Sequence, residues 1–199
     1  MLEDLLNILA SSIGSLTNTT KLENTFRSER HVNISHNTIS AYIDKFIDAF
    51  ILKKVARYDI KGRKYIGAQQ KYFYSDVGLR NARLNFRQQE ENHIMENIIY
   101  NELTARGFSV DVGVIETVIV NTEGKRQHSL LEVDFVCHRG HARYYIQSAL
   151  TVAEESKRQQ ETNSLIKIKD SFVKIVVVRD YIVRWRDNAG ILYISVEDF

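Results

Sequence analysis

Two strand-like runs in the second half of the sequence carry acid and amide side chains at spacings suited to phosphodiester chemistry. In LLEVDFV, Glu132 and Asp134 lie two residues apart, so an extended chain projects both to one side and Val133 and Phe135 to the other. In YYIQSA, Gln147 and Ala149 share a face in the same way. Upstream, a helical stretch places Glu96 between Met95 and Asn97. Convergence of Glu96, Asp134 and Gln147 would suit Mg²⁺, which takes one or two carboxylates together with waters and substrate phosphates. A cation held there would polarise a phosphoryl oxygen and lower the pKa of an attacking water. A structural reading stands beside the catalytic one. Glu96 would then be solvated or paired with Arg106 or Lys125, Asp134 would accept hydrogen bonds from backbone or Asn97, and Gln147 would satisfy a sheet edge. Asp134 needs some partner on either reading, because an unpaired carboxylate in an apolar strand is costly to bury.

The elements that must position these residues fall into two rhythms. Leu2, Leu5, Leu6 and Leu9 repeat at helical spacing until Ser11-Ser12-Ile13-Gly14. A second helix is expected over Thr20–Glu29 behind an Asn/Thr cluster able to cap it. A third has Ser35 or Asn37 as N-cap and an apolar stripe of Ile39, Tyr42, Ile43, Phe46 and Ile47. The rhythm then changes: VARYDIKGRKYI alternates on both sides of a Lys61-Gly62 turn, and KYFYSD reads as one further short strand.

Three helices followed by a hairpin is the order of a winged helix-turn-helix, here predicted over residues 1–75. Between Ile51 and Lys71 stand Lys53, Lys54, Arg57, Lys61, Arg63, Lys64 and Lys71 against one acid, Asp59, so the wing could meet the phosphates of DNA. On the third helix His36, Asn37, Ser40 and Lys45 are the candidate nucleic-acid contacts, although Asp44 and Asp48 would repel phosphate. The alternative is a solvated wing, or one that docks a protein.

Residues 76–91 form a polar connector without a linker's composition, with Asp76 expected to cap a helix. Residues 92–199 open with a helix over Asn92–Arg106, stopped by Gly107, whose buried stripe includes Ile94, Ile98 and Leu103. Strands are expected at Ser109–Val114, Val118–Asn121, Leu131–Cys137 and Ala142–Ser148, then a helix over Ala153–Lys169. The strands Val173–Arg179 and Ile191–Val196 close the chain. The order α-β-β-β-α-β-β makes this half an α/β mixed sheet flanked by helices.

The run from Glu96 through LLEVDFV to YYIQSA resembles the PD-(D/E)XK restriction-endonuclease-like superfamily. More widely, HNTISAYIDKFIDAFIL, ARYDIKGRKYI, KYFYSDVGLRN, ENIIYNEL, EVDFV and YYIQ together resemble the C-terminal region, a domain of unknown function, of a bacterial and archaeal family of AAA+-type ATP-binding proteins. The resemblance covers nearly all of the chain. It implies a winged helix followed by a nuclease-like domain, with Glu96, Asp134 and Gln147 at the acidic ligand positions, Gln147 replacing the commoner Glu. It also implies a lysine where this chain has Ala149; Lys157 is the nearest residue that could replace it. A methyl group can neither orient a water nor stabilise phosphate charge, so the site is expected to be degenerate. An ATPase module is expected before Met1, because this chain has no G-x-x-x-x-G-K-[ST] phosphate loop and should not bind ATP by itself.

Composition narrows the remaining classes. A net charge of +2 is too small to imply a polyanion partner without local clustering. One cysteine, Cys137, excludes an internal disulfide framework, and no apolar run approaches the roughly 20 residues needed to cross a bilayer, so a cytoplasmic protein without a membrane partner is expected. Cys137, His138 and His141, with His128 upstream, complete no four-ligand zinc spacing and read as a polar turn behind a packing cysteine. No cofactor is expected in this chain, beyond Mg²⁺ if the site is active. The competing functions are a non-catalytic nucleic-acid- or partner-binding region, a Mg²⁺-dependent nuclease with a displaced lysine, and a purely protein-interaction region.

Overall fold

The structure, a computed structural model, describes residues 1–88, 90–120 and 126–199. Among these residues there are six helices and eight strands, and the chain forms two compact units. The first comprises residues 1–56 and 67–98, the second residues 57–66 and 99–199. These limits differ from the sequence-based division at 1–75, 76–91 and 92–199. Residues 57–66 pack within the second unit, and the connector and the first residues of the following helix within the first.

In the first unit, α1 (Leu2–Ser11) buries Leu5 and Leu9. Helix α2 (Thr19–Arg30) starts at Asn18, whose side chain accepts the Lys21 N–H at 2.7 Å. Helix α3 (His36–Asp48) starts at Ser35, whose Oγ accepts the Thr38 N–H at 3.2 Å, and buries Ile39, Ile43 and Phe46. Each cap satisfies an N–H with no partner inside the helix. Asp76 does the same for α4 (Val77–Arg83), accepting from Leu79 N–H at 2.6 Å. Arg80 of α4 is fully buried; its guanidinium donates to the carbonyls of Ala10 (2.9 Å) and Gln88 (2.6 Å), tying that helix to α1.

The hairpin is β1 (Leu52–Asp59) and β2 (Lys64–Tyr74). The sequence predicts a separate short strand at KYFYSD, but β2 is continuous, with Gly67 at φ 53°. A glycine in the left-handed region interrupts the side-chain alternation without ending the strand, so one strand carries the pattern of two. At the turn Asp59 Oδ1 accepts the N–H groups of Lys61 (3.1 Å) and Gly62 (2.9 Å). A Cβ on Gly62 would come within 2.2 Å of Asp59 Oδ2, so a side chain here would displace the carboxylate that holds the turn.

Helix α5 (Glu91–Ala105) buries Met95, Ile99, Tyr100 and Leu103, whereas Ile98 is exposed. Of the expected stripe of Ile94, Ile98 and Leu103, Leu103 is buried and Ile94 half-buried, while the inward face is carried by Met95, Ile99 and Leu103 at four-residue steps. Gly107 follows the helix at φ 81°, as expected for a C-terminal stop.

The second unit is a mixed sheet. Its strands are β3 (Ser109–Val120), β4 (Arg126–Arg139), β5 (Ala142–Ala149), β6 (Val173–Val178), β7 (Trp185–Arg186) and β8 (Leu192–Ser195), with α6 (Glu155–Lys167) connecting β5 to β6. Residues 57–59 of β1 pair in parallel with Arg57↔Val112 as first register, β3–β4–β5 are antiparallel, and β5–β6–β8 are parallel. The two strands expected at Ser109–Val114 and Val118–Asn121 are the single strand β3; Asn121 lies outside the described residues. Gly113 lies within it, where a Cβ would lie 2.7 Å from Val136, so the bare backbone lets the two strands approach. A core of Val133, Val136, Tyr145, Ala149, Val152, Leu165, Val176 and Tyr193 fills the space between the sheet and α6. The edge strand β7 was not anticipated from sequence; two residues are too few to show a period.

Candidate functional site

The β3–β4 register places Asp134 at an irregularity. Asp111 pairs with Val136 and Gly113 with Val133, so Asp134 and Phe135 together oppose Val112. Two residues opposite one is a β-bulge, which leaves a backbone group without its ladder partner and re-aims a side chain. The β4–β5 pairing likewise stops at Phe135↔Ile146. Side chains replace the missing ladder from there on. Asp134 N–H donates to Gln147 Oε1 at 3.4 Å, and Asp134 Oδ2 accepts both the Ser148 N–H and the Ser148 hydroxyl at 2.8 Å. Asp134 is only 6% exposed, so these donors are what make its burial tolerable.

A third side chain, absent from the sequence-based set, completes this cluster. Glu161 of α6 has its carboxyl pushed above the usual range, first by burial and second by the Asp134 charge, against a lowering hydrogen bond from Gln147. The Gln147 amide thus faces both ways: its oxygen accepts from Asp134 backbone, and its nitrogen serves the Glu161 carboxylate. Glu161 was missed because α6 reads ESKRQQETNSLIK, where one more acid looks solvated. The available signal was spacing: Glu161 is one turn from Leu165, on the stripe whose next members, Leu165 and Ile168, are buried.

Other expected site residues are distributed differently. Glu96 belongs to the first unit, where Lys71 Nζ donates to its Oε2 at 2.9 Å, both side chains being largely buried. The suggested partner Arg106 instead binds Glu102 at 2.8 Å, and Lys125 lies outside the described residues. Asn97 serves not Asp134 but the backbone of Tyr74, accepting its N–H at 2.8 Å and donating to its carbonyl at 2.7 Å. Ala149 is buried in the core with Leu165 and Val152. Lys157 is exposed, one turn before Glu161 on α6, and makes no hydrogen bond or ion pair among the described residues.

Two of the oxygens that a Mg²⁺ would use are already engaged in this arrangement. Asp134 Oδ2 is held by two donors from β5, and Gln147 is engaged at both ends. Among the described residues, no group of three or more His, Cys, Asp or Glu side chains stands together as a metal site. The side chains of the Cys137 region are engaged elsewhere as well. Cys137 is buried with its thiol pushed up to about 12 by burial, His138 Nε2 faces Arg143 Nε at 2.8 Å, and His128 Nδ1 faces Glu116 at 2.6 Å. The stretch read as a polar turn is strand as far as Arg139, with the turn confined to Gly140 and His141.

Of the basic hairpin residues, Lys71 is the buried partner of Glu96 and unavailable to a ligand, a correction to the set of cations expected there to meet phosphate. Lys54, Lys61, Arg63 and Lys64 are exposed, and Lys61 Nζ donates to the Glu116 carbonyl at 2.9 Å. Asp59, the acid among them, is engaged in the turn. On α3, Asn37 and Lys45 are exposed and Ser40 half-buried, while His36 is tied to Glu23 of α2, which accepts its N–H at 3.2 Å.

Residues 1–90 match a family described as Domain of unknown function (DUF8612). Over 195 residues the chain is 33% identical to an uncharacterized protein of Haemophilus influenzae, an alignment covering 98% of this chain and 44% of that protein. The chain therefore spans less than half the length of that relative. The crystal structure of protein VC1899 from Vibrio cholerae aligns with 98% of this chain and 52% of that one, at 11% identity and a TM-score of 0.34, too low to carry fold or function across. The AAA+ and PD-(D/E)XK resemblance accordingly rests on the sequence motifs alone. Among the described residues, no helix is long and apolar enough to cross a membrane.

Proposed function

We propose that this chain is a non-catalytic, nucleic-acid-binding region of a longer AAA+-like ATP-binding protein, with a winged helix-turn-helix followed by a degenerate nuclease-like domain. The observation that supports it most directly is the state of Asp134. Its Oδ2 closes the gap between β4 and β5 through two 2.8 Å hydrogen bonds, a structural task that leaves that oxygen no open position. Ala149, at the place where the resemblance implies a lysine, is core. Binding is supported by the exposed Lys54, Arg63 and Lys64 beside a single acid that already serves the turn. Phosphate contacts of this kind release counterions and give affinity without sequence preference. ATP would be bound by the upstream module, not by these residues.

One observation favours a second reading, a Mg²⁺-dependent nuclease with a displaced lysine. Glu161 brings a second carboxylate to Asp134, and Lys157 lies one turn away on the same helix. Incubating the chain with single- and double-stranded DNA and Mg²⁺ or Mn²⁺ separates the two. The proposal expects salt-dependent binding and intact DNA; cleavage that disappears in Asp134→Ala would establish the second reading instead.

A further inference from the structure

The second unit contains a half-open cavity of about 230 Å³ whose rim carries Lys61 and Arg63 from the hairpin turn and Lys167 and Lys169 from the end of α6. Four cations from two segments remote in sequence line it together with one acid, Asp170, and of the four Lys61 also donates its Nζ to the Glu116 carbonyl at 2.9 Å. That acid is already engaged: Asp170 Oδ2 accepts the Tyr145 hydroxyl at 2.5 Å and Oδ1 accepts the Phe172 N–H at 3.2 Å. Arg63, Lys167 and Lys169 make no ion pair among the described residues. Ile60 and Ile168 form apolar walls, which lower the local dielectric and strengthen any charge interaction inside.

We propose that this cavity is a binding site for a phosphoryl group. Like charges gathered around a concave surface repel one another unless an anion sits among them, and a tetrahedral phosphate offers oxygens to several donors at once. The volume is below the roughly 300–1,000 Å³ of ordinary small-molecule pockets, so it suits one phosphate with part of its hydration shell, not a whole nucleotide. The end of a helix is ordinarily hostile to anions, because its free carbonyls carry partial negative charge. Here Lys174 Nζ donates to the Ile168 carbonyl at 2.8 Å and offsets that charge. Favourable placement of cations at a helix C-terminus accounts for Lys167 and Lys169 alone; it does not account for Lys61 and Arg63 facing them. Arg63 moreover holds φ 53°, a left-handed conformation that disfavours a residue with a side chain, at a turn position that glycine would occupy without strain.

This inference deepens the nucleic-acid reading when the phosphate comes from a DNA backbone, and is independent of it when the phosphate is free. The whole chain is therefore tested in two arms, as wild type and as Lys167→Gln/Lys169→Gln; both lysines are exposed, and Lys169→Gln alone serves as a milder control of folding. In the first arm, inorganic phosphate is titrated against thermal unfolding, with sodium chloride at matched ionic strength as reference. Phosphate should raise Tm saturably in the wild type, with roughly tenfold weaker apparent affinity in the double variant, since two of four cations are gone. Protection no greater than that of chloride, or equal in both proteins, would overturn the proposal. In the second arm, the slope of log binding constant against log salt is measured for duplex DNA. A slope reduced by about two in the double variant identifies the backbone as the source, and an unchanged slope identifies free phosphate. Lys54→Gln/Lys64→Gln, which does not line the cavity, reports on the wing separately. Loss of DNA binding there with no phosphate protection in the wild type refutes the cavity and leaves the proposed function standing. Phosphate protection without any DNA binding does the reverse.

Discussion

Replacing Asp134 by alanine separates a structural carboxylate from a catalytic one. Asp134 Oδ2 accepts two hydrogen bonds at 2.8 Å from Ser148 while the residue is 6% exposed, so truncation strands a backbone N–H and a hydroxyl in the gap between β4 and β5. Hydrogen bonds to a charged acceptor contribute about 1.5–3 kcal/mol each, and part of this is returned because Glu161 loses a neighbouring negative charge. A net loss of about 3 kcal/mol follows, which for a chain of this size lowers Tm by about 6–12 °C. Asp134→Asn keeps one acceptor oxygen and loses a charge beside Glu161, so it should cost about 1 kcal/mol or less. Thermal and urea unfolding of the three proteins, read by far-ultraviolet circular dichroism, makes the comparison. An alanine variant as stable as wild type, or more stable, would refute the reasoning: acids held against one another for catalysis commonly stabilise the fold when removed.

Other outcomes follow from the same contacts. Glu161 has its carboxyl raised in the fold, so its neutral form is favoured there; its contribution to stability is present at acid pH, below about pH 4.3, and lost as pH rises through the raised value. Glu161→Gln should therefore stabilise the chain at pH 7 by up to about 1 kcal/mol, with the gain disappearing at acid pH in parallel melts, and a pH-independent effect would contradict this. In the first unit, Lys71→Met removes the 2.9 Å cation partner of buried Glu96, whose other oxygen lies 3.9 Å from His93 Nδ1, and should cost about 3–5 kcal/mol by urea unfolding, whereas Lys71→Met/Glu96→Leu should recover most of the loss. Failure of the double variant to recover would mean that the unpaired charge is not what makes the single variant costly.

Local signals were legible wherever a short polar side chain had one job. Asn18, Ser35 and Asp76 cap the helices expected near them, and Asp59 organises the turn at Gly62. Strand ends were harder to read, because Gly67 takes positive φ inside β2 and β3 runs on through residues 115–117, where the sequence pattern lapses. Both looked like breaks, and both are continuous strand. The site was half legible. Asp134 and Gln147 do meet, since adjacent antiparallel strands must bring them near. Glu96 instead found Lys71, and nothing in the alternation of either segment announces a partner 25 residues away. Glu161 joined the cluster through the packing of α6 on the sheet, a tertiary event that a polar helix does not advertise.

The most direct test of the central claim is a single gel-based measurement of labelled duplex DNA with the purified chain, scored at once for retardation and for cleavage, from low to moderate salt and with Mg²⁺ or Mn²⁺. Retardation that weakens steeply with salt and weakens again in Lys54→Gln/Lys64→Gln, with the DNA intact throughout, is the expected result. No retardation at low salt, or cleavage that requires Asp134, would contradict it.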